Sequence, residues 1–269
     1  MVTGSNPVHL PMNLKEDINP SGQTVVFRDD RHTYNIKETG KQLKSCTKFI
    51  KIFFPKFDEE FFSKKVAEAK GITPEEVKEE WKLIREKATD FGSLIHKFAE
   101  TYLTKGVILK SNDSRTNQYY DMIKILIDVI IEEHDEILGV EKIIFSERLG
   151  IAGTVDLIMR KGSTICIYDW KTGKGINKEN KYKSKNEERG ISSTAFKPII
   201  HLDDCNYNRY SLQLNLYKKI LIEENYFPET KYIMMFFHIS DTNFAPYVVR
   251  SLDKDIQAIL EMSPRSSVE

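Results

Sequence analysis

Apolar positions recur at helical spacing through much of the first half of the chain. From about residue 140 onwards they gather into short runs rich in β-branched and aromatic residues. Residues 24–28 and 33–37 read as a small β-hairpin across the polar turn Asp29-Asp30-Arg31-His32. A helix is expected after Ser45 and ends near residue 53, ahead of Pro55. A second covers 57–70, with Phe61, Phe62 and Val66 facing a core. Thr73 reads as an N-cap with Pro74 at the first helical position, opening a helix through Trp81 and Ile84 to about residue 88. Further helices are expected over 89–104, 113–138 and 253–262, and another carries Gln213. Strands are expected at 140–149, 151–160, 164–171 and 230–240, with a last one near 245–250. The pattern predicts an α+β fold, a mixed sheet centred on the 151–171 hairpin with helices on either side.

That hairpin also carries the candidate chemistry. Its two runs flank Lys161-Gly162-Ser163, a short Gly-led turn. With the turn centred between Gly162 and Ser163, Asp156 falls directly across the ladder from Asp169. Strand side chains alternate faces, so Asp169 and Lys171 project on the same side. Two carboxylates about 4 Å apart repel by about 4 kcal/mol at an effective dielectric of about 20. A divalent cation turns that repulsion into attraction, and hard oxygen ligands suit Mg²⁺ or Mn²⁺. Lys171 can then orient an attacking water or stabilise charge developing on a phosphate.

Two helical segments add to the hairpin. Residues 92–100 read Gly-Ser-Leu-Ile-His-Lys-Phe-Ala-Glu, which places His96 and Glu100 on one helix face. An imidazole can join carboxylates at a Mn²⁺ or Mg²⁺ site. In Tyr210-Ser-Leu-Gln-Leu-Asn-Leu-Tyr217, the amide of Gln213 and the phenol of Tyr217 again share a face.

Together these segments resemble the PD-(D/E)XK nuclease superfamily and its RecB-like branch. The hairpin is similar to the family core, 92–100 to its Gly-x-x-x-His-x-x-x-Glu helix, and Gln213 with Tyr217 to its Gln-x-x-x-Tyr motif. The resemblance runs from about residue 25 to about 250. Softer signs at 25–34, 45–50, 81–88 and 201–207 bring it nearest to the mitochondrial-genome-maintenance exonuclease and related phage and viral exonucleases.

The resemblance implies a restriction-endonuclease-like mixed central sheet flanked by helices. It implies a metal-dependent DNA exonuclease that leaves 5′-phosphate ends, acting on single-stranded ends in DNA repair, recombination, replication or phage DNA processing. His96, Asp156, Asp169 and the backbone carbonyl of Trp170 would bind Mg²⁺ or Mn²⁺. Lys171 would position the water, and Gln213 and Tyr217 would hold the DNA backbone near the metal. Glu147 matches a carboxylate often seen at that point in these enzymes, so Glu147 and Glu100 are additional candidates. A structure-specific endonuclease and a non-cleaving DNA-binding recombination accessory protein stay open as alternatives.

Composition narrows the picture. Forty basic and forty acidic residues give a formal net charge of zero, so DNA binding has to rest on a local groove. Cys46, Cys166 and Cys205 lie far apart, which argues against zinc and falls short of the four thiolates of an iron–sulfur cluster. There is no run of eighteen apolar residues and no recognisable signal peptide, so a cytoplasmic protein of a bacterial, archaeal or phage-infected host cell is expected. Gly4-Ser5-Asn6-Pro7 is what a TΨC arm would encode if read through, and translation is expected to begin at Met12.

Residues 1–22 are expected to be a disordered extension, 23–262 a single nuclease domain and 263–269 a flexible tail. Within the domain, 174–207 is too long and polar for an ordinary connection. Its Lys174, Lys178, Lys181, Lys183, Lys185 and Arg189 are candidates for neutralising nucleic-acid phosphates. The segment 201–205 is expected to fold back near the site, with Asp203 or Asp204 capping the Gln213 helix.

Overall fold

Two neighbouring strands, β6 (Ile151–Lys161) and β7 (Thr164–Lys171), are buried along almost their whole length. Strands read that way when helices cover both faces of their sheet. The computed structural model describes residues 14–29, 31–188, 190 and 192–262. Among the described residues the strands form a mixed sheet flanked by helices, the α+β arrangement expected from the pattern.

The chain begins with an antiparallel meander of β1 (Leu14–Ile18), β2 (Thr24–Arg28), β3 (Thr33–Ile36) and β4 (Gln42–Ser45). Four helices follow: α1 (Cys46–Lys51), α2 (Glu59–Lys70), α3 (Pro74–Lys105) and α4 (Ser114–Glu132). β5 (Glu136–Ser146) leads into the β6–β7 hairpin, and a short α5 (Lys183–Glu187) precedes α6 (Asn206–Glu223). β8 (Lys231–Ile239) runs parallel to β7, β9 (Phe244–Val248) closes that edge, and α7 (Asp253–Met262) ends the described chain. Residues of α3 and α4 share one apolar cluster with β7 and β8, through Phe98, Ile123, Tyr168 and Trp170. Those of α1, α6 and α7 share another with the strands, through Phe49, Leu216, Ile165 and Ile256.

β6 changes partner along its length. Ile151 and Ala152 pair with β4 in parallel, whereas Leu157 to Lys161 pair with β7 in antiparallel, and β5 runs beside β6 throughout. Residues 153–156 therefore lie where β4 has ended and β7 has not yet closed on β6. A fork of this kind frees backbone and side chains for chemistry while strands on either side hold them.

Several elements differ from the sequence expectation. Residues 74–105 form one helix, not two, since a lone glycine at Gly92 costs a helix only about 1 kcal/mol. Thr73 and Glu76 close a reciprocal capping box at its start, as the N-cap reading requires. The helix expected over 113–138 stops at Glu132, because the following residues are drawn into the sheet: the Asp135 N–H donates to the Arg160 carbonyl at 2.8 Å.

Leu14–Ile18, expected to precede the domain, forms β1 instead. Asp17 fastens it by accepting from Lys142 Nζ at 3.0 Å and from the Ile143 N–H at 3.2 Å. The expectations for the first thirteen residues, including a start at Met12, and for 263–269 lie outside the described residues. No helix among the described residues is long and apolar enough to cross a membrane.

Candidate active site

The hairpin register sets Leu157 against Tyr168, which puts Asp156 opposite Asp169 one step further on. On the other side of β6, Val140 faces Leu157 and Lys142 faces Val155, so Glu141 stands opposite Asp156. Three carboxylates thus lie abreast on three adjacent strands, at the fork. Glu141 takes φ +45°, a left-handed conformation that costs a non-glycine residue about 1–3 kcal/mol and concentrates at functional sites.

α3 brings His96 to this row. Its Nδ1 lies 3.1 Å from Glu141 Oε1 and 3.4 Å from Asp156 Oδ1. The second Asp156 oxygen accepts the Trp170 backbone N–H at 2.7 Å, so β7 orients the carboxylate where the strands part. His96, Glu141 and Asp156 offer ligand atoms that all lie within 4.8 Å of one another, a buried His/Glu/Asp group able to hold a metal ion.

Asp169 is 1% exposed, with its Oδ2 2.5 Å from Lys171 Nζ. At that distance the ammonium is this buried oxygen's partner, and the pair holds its charges together out of water.

The electrostatics agree. Burial opposes charge on His96, but Asp156 and Glu141 outweigh it and hold the imidazole well above its ordinary pKa. Burial also raises Asp156, yet His96 and Lys171 overcome this and hold the carboxyl below its usual range. Glu141 is raised by burial, with the Asp156 charge adding to it. Asp169 is pushed up to about 6, chiefly by burial and secondarily by Asp156, against the pull of Lys171. For Lys171, burial lowers the pKa but Asp169 and Asp156 more than compensate. Three carboxylates facing two cations are short of positive charge, a deficit that a divalent ion could make up.

Of the expected ligands, the structure brings His96 and Asp156 together with Glu141, which sequence reasoning missed, while Asp169 is engaged with Lys171. Strands over 140–149 and 151–160 turn about residue 150 and set residue 144 against Asp156, whereas the turn spans 147–150 and brings Glu141 there instead. The Trp170 N–H is committed to Asp156.

Gln213 and Tyr217 do share a face of α6, and the Gln213 amide donates to the Tyr217 hydroxyl at 2.6 Å. Tyr217 is only 3% exposed, so the expected contact between its phenol and a DNA backbone gives way to orienting Gln213. Its ring fits because position 153 is glycine: a Cβ there would lie 2.4 Å from Tyr217 Cε1. Tyr210, another residue passed over, sets its ring centroid 4.7 Å from Lys171 Nζ.

Glu100 and Glu147 stand apart from the metal group. Glu100 pairs with Lys97 at 2.9 Å and Lys15 at 3.2 Å. Glu147 lies past the end of β5, whose last residue is already about 16 Å from the row by strand rise, and accepts from Gln23 Nε2 at 2.5 Å.

The segment after β7 is tethered. Asn206 takes the Asn177 N–H and donates to the Gly175 carbonyl, both at 2.7 Å, and Ala195, Ile199 and Leu202 are buried in the core. Lys174, Lys178, Lys181, Lys183 and Lys185 are exposed, Lys183 lying 3.8 Å from Asp203. Arg189 lies outside the described residues. His201 turns towards α7, 3.3 Å from Asp255, rather than towards the carboxylates. Asp203 accepts the Asn180 N–H and Asp204 binds Arg209, and neither caps α6, whose N-cap Cys205 makes no side-chain hydrogen bond.

No protein-family model matches the chain, and no curated protein matches it. Among solved structures, it is similar to a "Putative exonuclease" from Eubacterium rectale, with TM-score 0.37 and 16% identity over 65% of this chain. The match spans 62% of that protein's length.

Proposed function

We propose that the chain is a metal-dependent deoxyribonuclease of the PD-(D/E)XK type, an exonuclease acting on single-stranded DNA ends. The observation that carries this reading is the row at the β6 fork. Glu141, Asp156 and His96 converge there within ligand distance, and the Asp169–Lys171 pair stands beside them.

In this reading His96, Glu141 and Asp156 would hold Mg²⁺ or Mn²⁺, with Asp169 and the Trp170 carbonyl as further oxygen donors. When bound, the ion supplies Lewis acidity, lowering the pKa of a water and drawing charge from a phosphate oxygen. The residues supply position. Asp169 and Tyr210 hold the Lys171 ammonium between a carboxylate and an aromatic face, where it can orient the attacking water and stabilise charge growing on the phosphate. Tyr217 locks the Gln213 amide, and Gln213 steadies a phosphate or the water. Water adds to phosphorus, the bond from phosphorus to the 3′ oxygen breaks, and a 5′-phosphate is left. The exposed lysines after β7 neutralise the strand as it approaches.

The test uses end-labelled single-stranded, duplex and circular single-stranded DNA with Mg²⁺ or Mn²⁺. Wild type is expected to shorten linear single strands and spare circles, with Asp169→Ala and Lys171→Ala inactive. Equal activity in all three proteins sinks the assignment. Cutting of circles would replace exonuclease with endonuclease. Absence of Mn²⁺ binding by calorimetry would favour a non-cleaving DNA-binding module.

A further inference from the structure

An aromatic strip leads away from the Lys171 ammonium. Tyr210 sits against Lys171 at 4.7 Å and meets Phe236 edge-on at 5.5 Å between centroids. Phe236 is fully buried and stacks on Tyr247 with ring planes 7° apart and centroids 5.1 Å apart. Tyr207 closes the group, 5.8 Å from Phe236 and 6.3 Å from Tyr247.

Three different elements assemble this strip. Tyr207 and Tyr210 come from the first turns of α6, Phe236 from β8, and Tyr247 from the edge strand β9. The Asn206 hydrogen bonds at 2.7 Å to Gly175 and Asn177 draw the lysine-rich segment across its outer end. Lys178 then lies over both Tyr207 and Tyr247, 5.8 Å from each centroid.

The outer tyrosines are half-buried and Lys178 is exposed. Tyr247 rests one face on buried Phe236, and an exposed ammonium reaching its ring and that of Tyr207 marks aromatic surface open to solvent. Among the described residues Lys178 has no carboxylate partner in an ion pair, and the Tyr247 hydroxyl makes no hydrogen bond. Both rings pack against the core, and the Tyr207 hydroxyl donates to the Val248 carbonyl at 3.2 Å, so what the fold leaves over is their half-exposed outer side and the unneutralised cation above it. An unpaired nucleotide uses both: its base has a flat π-face for the rings, and its phosphate is an anion for the ammonium.

We infer that Tyr207, Tyr247 and Lys178 form a nucleotide subsite beside the cutting centre, which stacks an unpaired base of the substrate strand and grips its phosphate. The inference rests on the nuclease reading for the identity of the ligand, but binding can be measured without cleavage. The probe is a short single-stranded deoxyoligonucleotide carrying 2-aminopurine, titrated in EDTA with the full chain. Stacking quenches this base, so wild type should quench it. Tyr207→Leu and Tyr247→Leu should lose the quench and bind about tenfold more weakly, while Tyr207→Phe and Tyr247→Phe keep both.

Lys178→Gln, an exposed change that leaves the fold alone, should flatten the slope of log Kd against log salt by about 0.7. No quench in wild type, unchanged quench in both leucine variants, or an unchanged salt slope in Lys178→Gln overturns the subsite. A wild type that digests DNA yet gives one of those results refutes the subsite and leaves the nuclease standing. A wild type that binds with the quench, loses it in the leucine variants and digests nothing refutes the nuclease and leaves the subsite.

Discussion

The start and the middle of β6 both gather charge, and they hold it in different ways. At the Ile151 end a cavity of about 880 Å³ is lined by Lys41, Lys219 and Arg148 together with Glu147 and Glu223. These charges are matched: Glu147 has Gln23 and Lys41, while Glu223 has Arg148 and Lys219. Around Asp156 the carboxylates are more deeply buried and are crowded on three strands beside His96 and Lys171. A void alone therefore does not mark the candidate site. What distinguishes it is a cluster of ionisable groups held rigidly out of water.

Removing one carboxylate from each place tests that contrast most severely. Asp156→Asn should abolish Mn²⁺ binding in calorimetry and lower DNA digestion by about a thousandfold or more. Glu147→Gln should leave both within about twofold, as expected for a change of less than about 0.5 kcal/mol outside the site. A comparable loss in the two variants would erase the distinction. Next in size is Lys171→Met, which should cost about 100- to 1,000-fold in kcat. It should also tighten Mn²⁺ binding, because it removes a positive charge beside the carboxylates. Weaker Mn²⁺ binding would show that Lys171 supports the ion rather than the substrate.

The same contrast explains what was legible in the sequence. Asp156, Asp169 and Lys171 could be placed because a tight turn fixes strand register, and register is local arithmetic. Glu141 obeys the same arithmetic through the turn after β5, whose Gly150 takes φ +68°. Its partner is not legible because the four-residue turn 147–150 has no sharp start in sequence, and a turn set at residue 150 shifts the register by three residues. Glu147 stands apart for a related reason: it follows the last residue of β5, which is already about 16 Å from the row by strand rise. Tyr210 carries no local signal, since its value comes from a contact across α6 and β7. The buried state of Tyr217 was half-legible, in the glycine at position 153 that makes room for it.

Glu141→Gln should come third, weakening Mn²⁺ binding by at least about tenfold while the protein stays folded. Retained affinity would return the third ligand position to Asp169 and restore the expected set.

The smallest effect separates the two glycines that flank the start of β6. Gly150 adopts φ +68° with nothing within 4 Å of where a Cβ would stand, so its need is conformational. Alanine there should cost about 1 kcal/mol in urea unfolding and leave digestion unchanged. Gly153 has no such backbone demand, but its missing Cβ is the space occupied by the Tyr217 ring. Gly153→Ala should cost about 1–3 kcal/mol through overpacking. It should also lower kcat, because a displaced Tyr217 releases the Gln213 amide that its hydroxyl now orients at 2.6 Å. Equal stability losses with digestion untouched in both variants would mean that Gln213 needs no such support. A loss of kcat confined to Gly153→Ala would place the boundary of the working site between residues 150 and 153.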